Sequence, residues 1–196
     1  GALTFIPIYL QIAQGATPTQ SGLQLLPMTL GILTASTIAG RYMRARGRYF
    51  ILPLIGTAAL TLAMLALSTL GVKTPYWIVG VTLLFVGLGM GNIFPVVTTA
   101  VQNAVPREVM GTATASGILF RQIGGSLGIA VFGAIFASRM ATQMPQSAGA
   151  MAGGEGFSFS PAQLASMPDD VRERIGEAVV TALHPIYLIA AGVAVA

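Results

Sequence analysis

Charged residues divide the chain into long apolar stretches. None occurs from Gly1 to Gly40, and then Arg41, Arg44, Arg46 and Arg48 fall close together. Tyr49 to Val72 is uncharged, Lys73 interrupts, and Thr74 to Pro106 is uncharged again. Val109 to Ser138 holds a single charge, Arg121, and from Ala178 to Ala196 only His184 can titrate. A helix needs about 20 mostly apolar residues to cross a bilayer. Each run reaches or approaches that length, and none alternates with the period of two that a membrane strand requires. The pattern predicts helices.

The predicted spans are residues 1–14, 21–40, 49–71, 76–101, 109–137 and 178–196. Gly15 to Gln20, with its Gly, Pro and Thr residues, reads as a tight turn. Residues 139–177 form a polar loop outside the membrane. Within it, Ser160-Pro161 is an N-cap and first-turn proline that predicts a short helix to Met167. Pro168-Asp169-Asp170 starts a second helix, with Val171, Ile175 and Val179 on one face. That helix is expected to lie on the external surface and run into the last span. Met140 to Gly156, rich in Gly, Ala, Ser and Gln, is expected to be flexible. Both ends read as cut inside helices, so the chain is expected to be a piece of a longer protein. The first residues lack the basic flank and cleavage site of a signal peptide.

Composition narrows the class. Hydrophobic residues make up 54% of the 196 and charged residues only 8%, against roughly 25% charged in soluble domains. An ordinary soluble enzyme is excluded, and a lipid bilayer is the expected surrounding. The net charge of +4 comes from ten dispersed Lys and Arg, a poor nucleic-acid surface, so no nucleic-acid partner is expected. With no cysteine and one histidine, neither a metal site nor a cofactor is expected. Metalloprotease, P-loop and nucleophile-elbow motifs are all missing, so the chain is not expected to be an enzyme. The Arg41–Arg48 loop and the Arg107 loop share one side of the membrane; Lys73 and the long loop share the other. The short arginine-rich loop is expected on the cytoplasmic side.

Few residues carry candidate chemistry. Arg121 lies well inside a span, where a charge is costly and usually faces a protein interior or water. Gly117, Gly125 and Gly128 share its helix face, which predicts close packing or a cavity wall. Arg121 is expected to hydrogen-bond helix ends or Gln and Asn side chains at a cytoplasmic gate; the alternative is snorkelling to the headgroups. Gly87-xxx-Gly91 is a small-residue packing motif, and Pro95 frees a carbonyl and kinks the same helix. Asn92, beside that kink, is a candidate cavity residue, as are Gln11 and Gln14 near the first turn. Tyr9, Phe94, Phe120 and Met90 could line an apolar cavity or simply pack. His184 could relay protons. No carboxylate falls within a predicted span, so a proton-coupling acid is expected outside this sequence.

Gly40-Arg-Tyr-Met-Arg-Ala-Arg-Gly-Arg48 resembles the signature loop of the major facilitator superfamily. Gly40, Gly47 and Arg48 match in spacing; Arg44 stands at the family's Asp, Ala45 at its Arg and Tyr49 at its last basic residue. The lost acid puts a charge-relay role for this copy in doubt, leaving membrane-side anchoring. Ile6-Pro-Ile-Tyr-Leu-Gln11, Pro18-Thr-Gln-Ser-Gly22, Leu25-Leu-Pro27, Gly87-Leu-Gly-Met-Gly-Asn92, Val105-Pro-Arg-Glu108 and Arg121-Gln-Ile-Gly-Gly-Ser-Leu-Gly128 are similar to the drug:proton antiporters with fourteen helices. The resemblance implies an all-α membrane fold: the carboxy-terminal six-helix bundle, with its first and last helices truncated. It implies a multi-pass protein of a cell membrane, the bacterial inner membrane, with the amino-terminal half as its partner. Export of lipophilic, often cationic, small molecules against protons, by alternating access, follows from it. Gly124 and Gly125 then join Arg121, Asn92, Pro95, Gln11 and Gln14 as substrate or gating positions. A solute-specific exporter and a non-transporting membrane scaffold remain as alternatives.

Overall fold

A computed structural model of the chain describes residues 2–46, 50–72, 74–143 and 169–195. Among these residues the regular structure is entirely helical. The chain opens with a 3-10 turn, Ala2–Phe5, then α1 (Ile6–Ile8) and a π-helical turn, Tyr9–Ala13. Then come α2 (Pro18–Gln24), α3 (Leu26–Arg46), α4 (Ile51–Ser68) and α5 (Tyr76–Asn103). A 3-10 turn, Arg107–Val109, leads into α6 (Met110–Gln143), and α7 covers Asp169–Val195. Five helical segments are long and apolar enough to cross a membrane: Pro18–Arg46, Ile51–Ser68, Tyr76–Asn103, Arg107–Met140 and Arg174–Ala194.

Local chemistry moves several predicted boundaries. The turn expected over Gly15 to Gln20 closes at Thr17. Gly15 takes the left-handed φ of 67° that glycine adopts without strain. Thr17 then caps α2 reciprocally with Gln20: its hydroxyl accepts from Gln20 N (3.2 Å) and its N–H donates to Gln20 Oε1 (3.0 Å). Pro18 sits where a missing N–H costs nothing. The break falls instead at Leu25, ahead of Pro27, so the span expected over 21–40 is two helices, α2 and α3. At its far end α3 runs on to Arg46, placing Gly40, Arg41 and Arg44 on a helix rather than in a loop. Arg46 stacks back over Tyr42, 5.5 Å from the ring centre, one turn away on the same face. Gly47 and Arg48 lie outside the described residues.

The second half differs more. α6 continues to Gln143, so Met140, expected in a flexible stretch, is helical and fully buried. The short helix expected over Pro161 to Met167 lies outside the described residues. The helix that starts at Asp169 runs, as expected, straight into the last span as one continuous helix, and its Ile175 and Val179 join the core. Glu108 falls near the start of the segment Arg107–Met140 and Glu177 near the start of Arg174–Ala194, where carboxylates were expected only in loops. Glu177 is exposed.

The bundle is packed unevenly. A large core joins Ile6, Leu10, Val79, Leu83, Val86, Met140, Val179, Leu183 and Ile186 at the end away from Arg41, Arg44 and Arg46. At the arginine-bearing end a small cluster of Ala39, Leu52 and Val96 closes α3, α4 and α5. Helix α5 is central because its glycines admit two neighbours. A Cβ at Gly91 would lie 2.6 Å from the Ile32 carbonyl oxygen of α3, and one at Gly89 2.8 Å from the Gly56 carbonyl oxygen of α4. Lipid gives helices no hydrophobic reason to associate, so such close contact is what holds them.

Pro95 removes the N–H that would pair with the Gly91 carbonyl. Ser36 of α3 supplies the replacement, its hydroxyl donating to Gly91 O at 3.2 Å. Ser36→Ala strands that carbonyl and is expected to lower unfolding free energy by about 0.5–1 kcal/mol. Denaturant titration of the purified protein in micelles checks it; an unchanged midpoint sinks the assignment.

Candidate functional site

Among the described residues, helix α6 lies mostly uncovered. Its end near Gln143 is anchored by Phe136 and Met140, with the Phe136 ring 5.4 Å from that of Phe5. Its start is tied to α5 by Gln102, whose side-chain amide donates to the Thr114 hydroxyl at 3.4 Å. Between these anchors Leu119, Phe120 and Leu127 point outward and are exposed.

A cavity of about 280 Å³ opens between the two helices at the arginine-bearing end. Ile93, Phe94, Val97, Thr98 and Val101 of α5 line one wall; Thr114, Gly117, Ile118 and Arg121 of α6 line the other. Spacing explains the walls: 94, 98 and 101 share one face of α5, and 114, 117, 118 and 121 share one face of α6. Gly117 keeps its wall open, since a Cβ there would have no neighbour within 4 Å. Arg121 is eleven residues into α6, about 16 Å along its axis. Its guanidinium lies over the Phe94 ring, 5.4 Å from the centre. That stacking replaces the hydrogen bonds expected of Arg121, because no helix end or amide lies within bonding reach among the described residues.

The other expected residues are dispersed. Gly124 and Gly125 meet nothing within 4 Å, so the glycine face of α6 is open rather than closely packed. Asn92 turns toward α4, its Cβ against Gly56, and its amide donates to its own helix at Leu88 O (2.9 Å). Asn92 and Pro95 both lie outside the pocket lining. Met90 packs against the core and Phe120 faces outward, so only Phe94 of the candidate apolar residues reaches the pocket.

Gln11 and Gln14 stand at the opposite end. Gln11 donates to the Ser21 hydroxyl (3.1 Å), tying the π turn to α2. Gln14 donates to Thr74 O (2.9 Å), and the Tyr9 hydroxyl donates to Gly71 O (2.9 Å), so both hold the α4–α5 turn. His184 meets the Ser68 carbonyl through Nδ1. A carbonyl only accepts, so Nδ1 carries the proton, and the ring caps the open end of α4. Thr98 and Thr114 were not singled out in the sequence, although their helical spacing to Phe94 and Arg121 was visible there.

The family model described as Major Facilitator Superfamily matches residues 1–129. The chain is 36% identical over 195 residues to an uncharacterized MFS-type transporter of Mycobacterium tuberculosis, covering 100% of this chain and 28% of that protein. It is 38% identical over 138 residues to a tetracycline resistance determinant of Streptomyces rimosus, covering 70% of this chain and 40% of that protein. With a multidrug transporter of Bacillus subtilis it shares 35% over 141 residues, 71% of this chain and 26% of that protein. The chain spans less than half the length of each of these relatives. The match covers most of this chain and agrees with its five helices long and apolar enough to cross a membrane. The chain belongs to the Major Facilitator Superfamily.

Proposed function

We propose that this bundle is the carboxy-terminal half of a proton-coupled exporter of lipophilic compounds that works by alternating access in a bacterial inner membrane. The observation that carries the reading is the pocket between α5 and α6: an apolar cleft holding one charged side chain, on a helix otherwise uncovered. A helix packed only for support has no use for a cation stacked in an apolar cleft, since such a charge is costly there. An uncovered α6 is what a half-bundle that rocks against a second half requires. The names of relatives, a tetracycline resistance determinant and a multidrug transporter, support export of drug-like molecules. With the arginine-bearing end in the cytoplasm, the pocket loads from the side on which such compounds accumulate. No carboxylate lies on α5 or α6, so the proton-carrying acid belongs elsewhere in the transporter.

The test is efflux from cells that lack their own pumps and express the full-length gene. Cells loaded with a neutral lipophilic dye should lose it faster than vector controls, and a protonophore should abolish the difference. Efflux that survives the protonophore removes proton coupling. Export of one solute with no dye efflux favours the solute-specific alternative.

A further inference from the structure

We infer that the α5–α6 pocket takes organic anions: molecules with an apolar, preferably aromatic, body and one carboxylate or comparable oxyanion. The inference rests on the exporter reading and names the substrate class of the same site. Thr98 spends its proton on Phe94 O (3.0 Å) and Thr114 on Met110 O (2.9 Å), so neither hydroxyl donates into the cavity. The Gln102 amide is turned onto Thr114. The donors left are those of the Arg121 guanidinium, which has five N–H groups and no acceptor capacity.

Among the described residues, Arg121 has no carboxylate partner within reach. Neither α5 nor α6 contains Asp or Glu, and Glu108, in the turn before α6, is not among the lining residues. The guanidinium carbon lies 5.4 Å from the centre of the Phe94 ring, a contact that uses none of its N–H groups in hydrogen bonding. A planar carboxylate matches the guanidinium edge with two parallel charge-assisted hydrogen bonds. The remaining wall, Ile93, Val97, Val101 and Ile118, is apolar and suits a hydrocarbon body. A cationic ligand would meet a like charge with no acid to offset it, so the pocket selects against cations.

The experiment compares three probes with one ring system: 2-naphthoate, 2-naphthamide and 2-naphthylmethylammonium. Equilibrium binding of each is measured on the purified full-length protein in detergent, for wild type, Arg121→Gln and Arg121→Lys. Naphthoate should bind at least about tenfold more tightly than the other two, the margin of one charge-assisted hydrogen bond. Arg121→Gln should erase that margin, and an unchanged circular-dichroism spectrum and denaturation midpoint show that the variant folds. Arg121→Lys should keep part of it. Equal binding of the three, a preference for the cation, or a naphthoate margin that survives Arg121→Gln overturns the inference. So does displacement by phosphatidylglycerol of a signal that naphthoate does not compete for, which marks a lipid headgroup site. Efflux of neutral dyes without naphthoate binding removes the anion site and leaves the exporter. Naphthoate binding without any efflux does the reverse.

Discussion

Gly87→Ala should destabilise the bundle by about 2–3 kcal/mol, the upper range for forcing an extra group into a packed core. The direction is informative, because alanine is the better helix former by about 1 kcal/mol. The loss must therefore come from the neighbour. A Cβ at Gly87 would run into the Met28 carbonyl and come within 3.0 Å of Ile32 N, both backbone atoms of α3. Backbone cannot rotate aside as a side chain does, so α3 and α5 must separate. That separation also strains Gly91 against Ile32 and weakens the Ser36 bond to the carbonyl that Pro95 frees. The control is Gly124→Ala on α6, where a Cβ meets nothing within 4 Å. It should be neutral or gain up to about 1 kcal/mol. Denaturant titration in micelles reads both. Equal behaviour of the two variants would show that α3 and α5 are not held together through their glycines.

That contrast shows where the sequence was informative and where it fell short. Charge spacing pointed to long apolar helices, because a bilayer penalises every charge and so prints the helix lengths onto the chain. Ends were harder. Arg41, Arg44 and Arg46 read as a loop because they are polar, yet arginine is a good helix former and its long stem reaches water from a helix. The capping box at Thr17 and Gln20 was legible but masked by the louder Gly and Pro nearby. Rotation about the helix axis was least legible. The repeat Gly87-xxx-Gly91 and the face Gly117-Arg121-Gly125 look alike as strings, but the first is pressed against α3 and the second is open. Which face meets a neighbour depends on how the other helices cross, which no local pattern encodes. Asn92 is the example: beside the kink it looked free for a cavity, and the same rotation that seats Gly91 on α3 turns Asn92 onto Gly56.

Gly117→Phe should abolish transport while leaving the bundle folded. The glycine lines the α6 wall of the pocket, and the space beyond its Cα is empty to at least 4 Å. A phenyl group there projects into the 280 Å³ between Phe94 and Arg121 and occupies the volume a ligand body would take. Among the described residues α6 is uncovered at this level, so no contact in the core of this bundle is displaced by an extra apolar ring beside Ile118. Transport under saturating proton gradient should fall by roughly tenfold or more, equivalent to about 1.4 kcal/mol or more of lost binding. The denaturation midpoint should stay at the wild-type value. Gly124→Phe supplies the comparison: it lies nearly two turns further along the same face, is just as open, and is not among the lining residues. It should transport normally. If both variants fail alike, α6 meets another protein surface along its whole glycine face during the cycle, and the pocket is not the site of selection. If neither fails, the compound passes through the transporter without entering the α5–α6 cleft. Loss at Gly117 with retention at Gly124 is the pattern that ties export to the cavity itself, independent of the charge on Arg121.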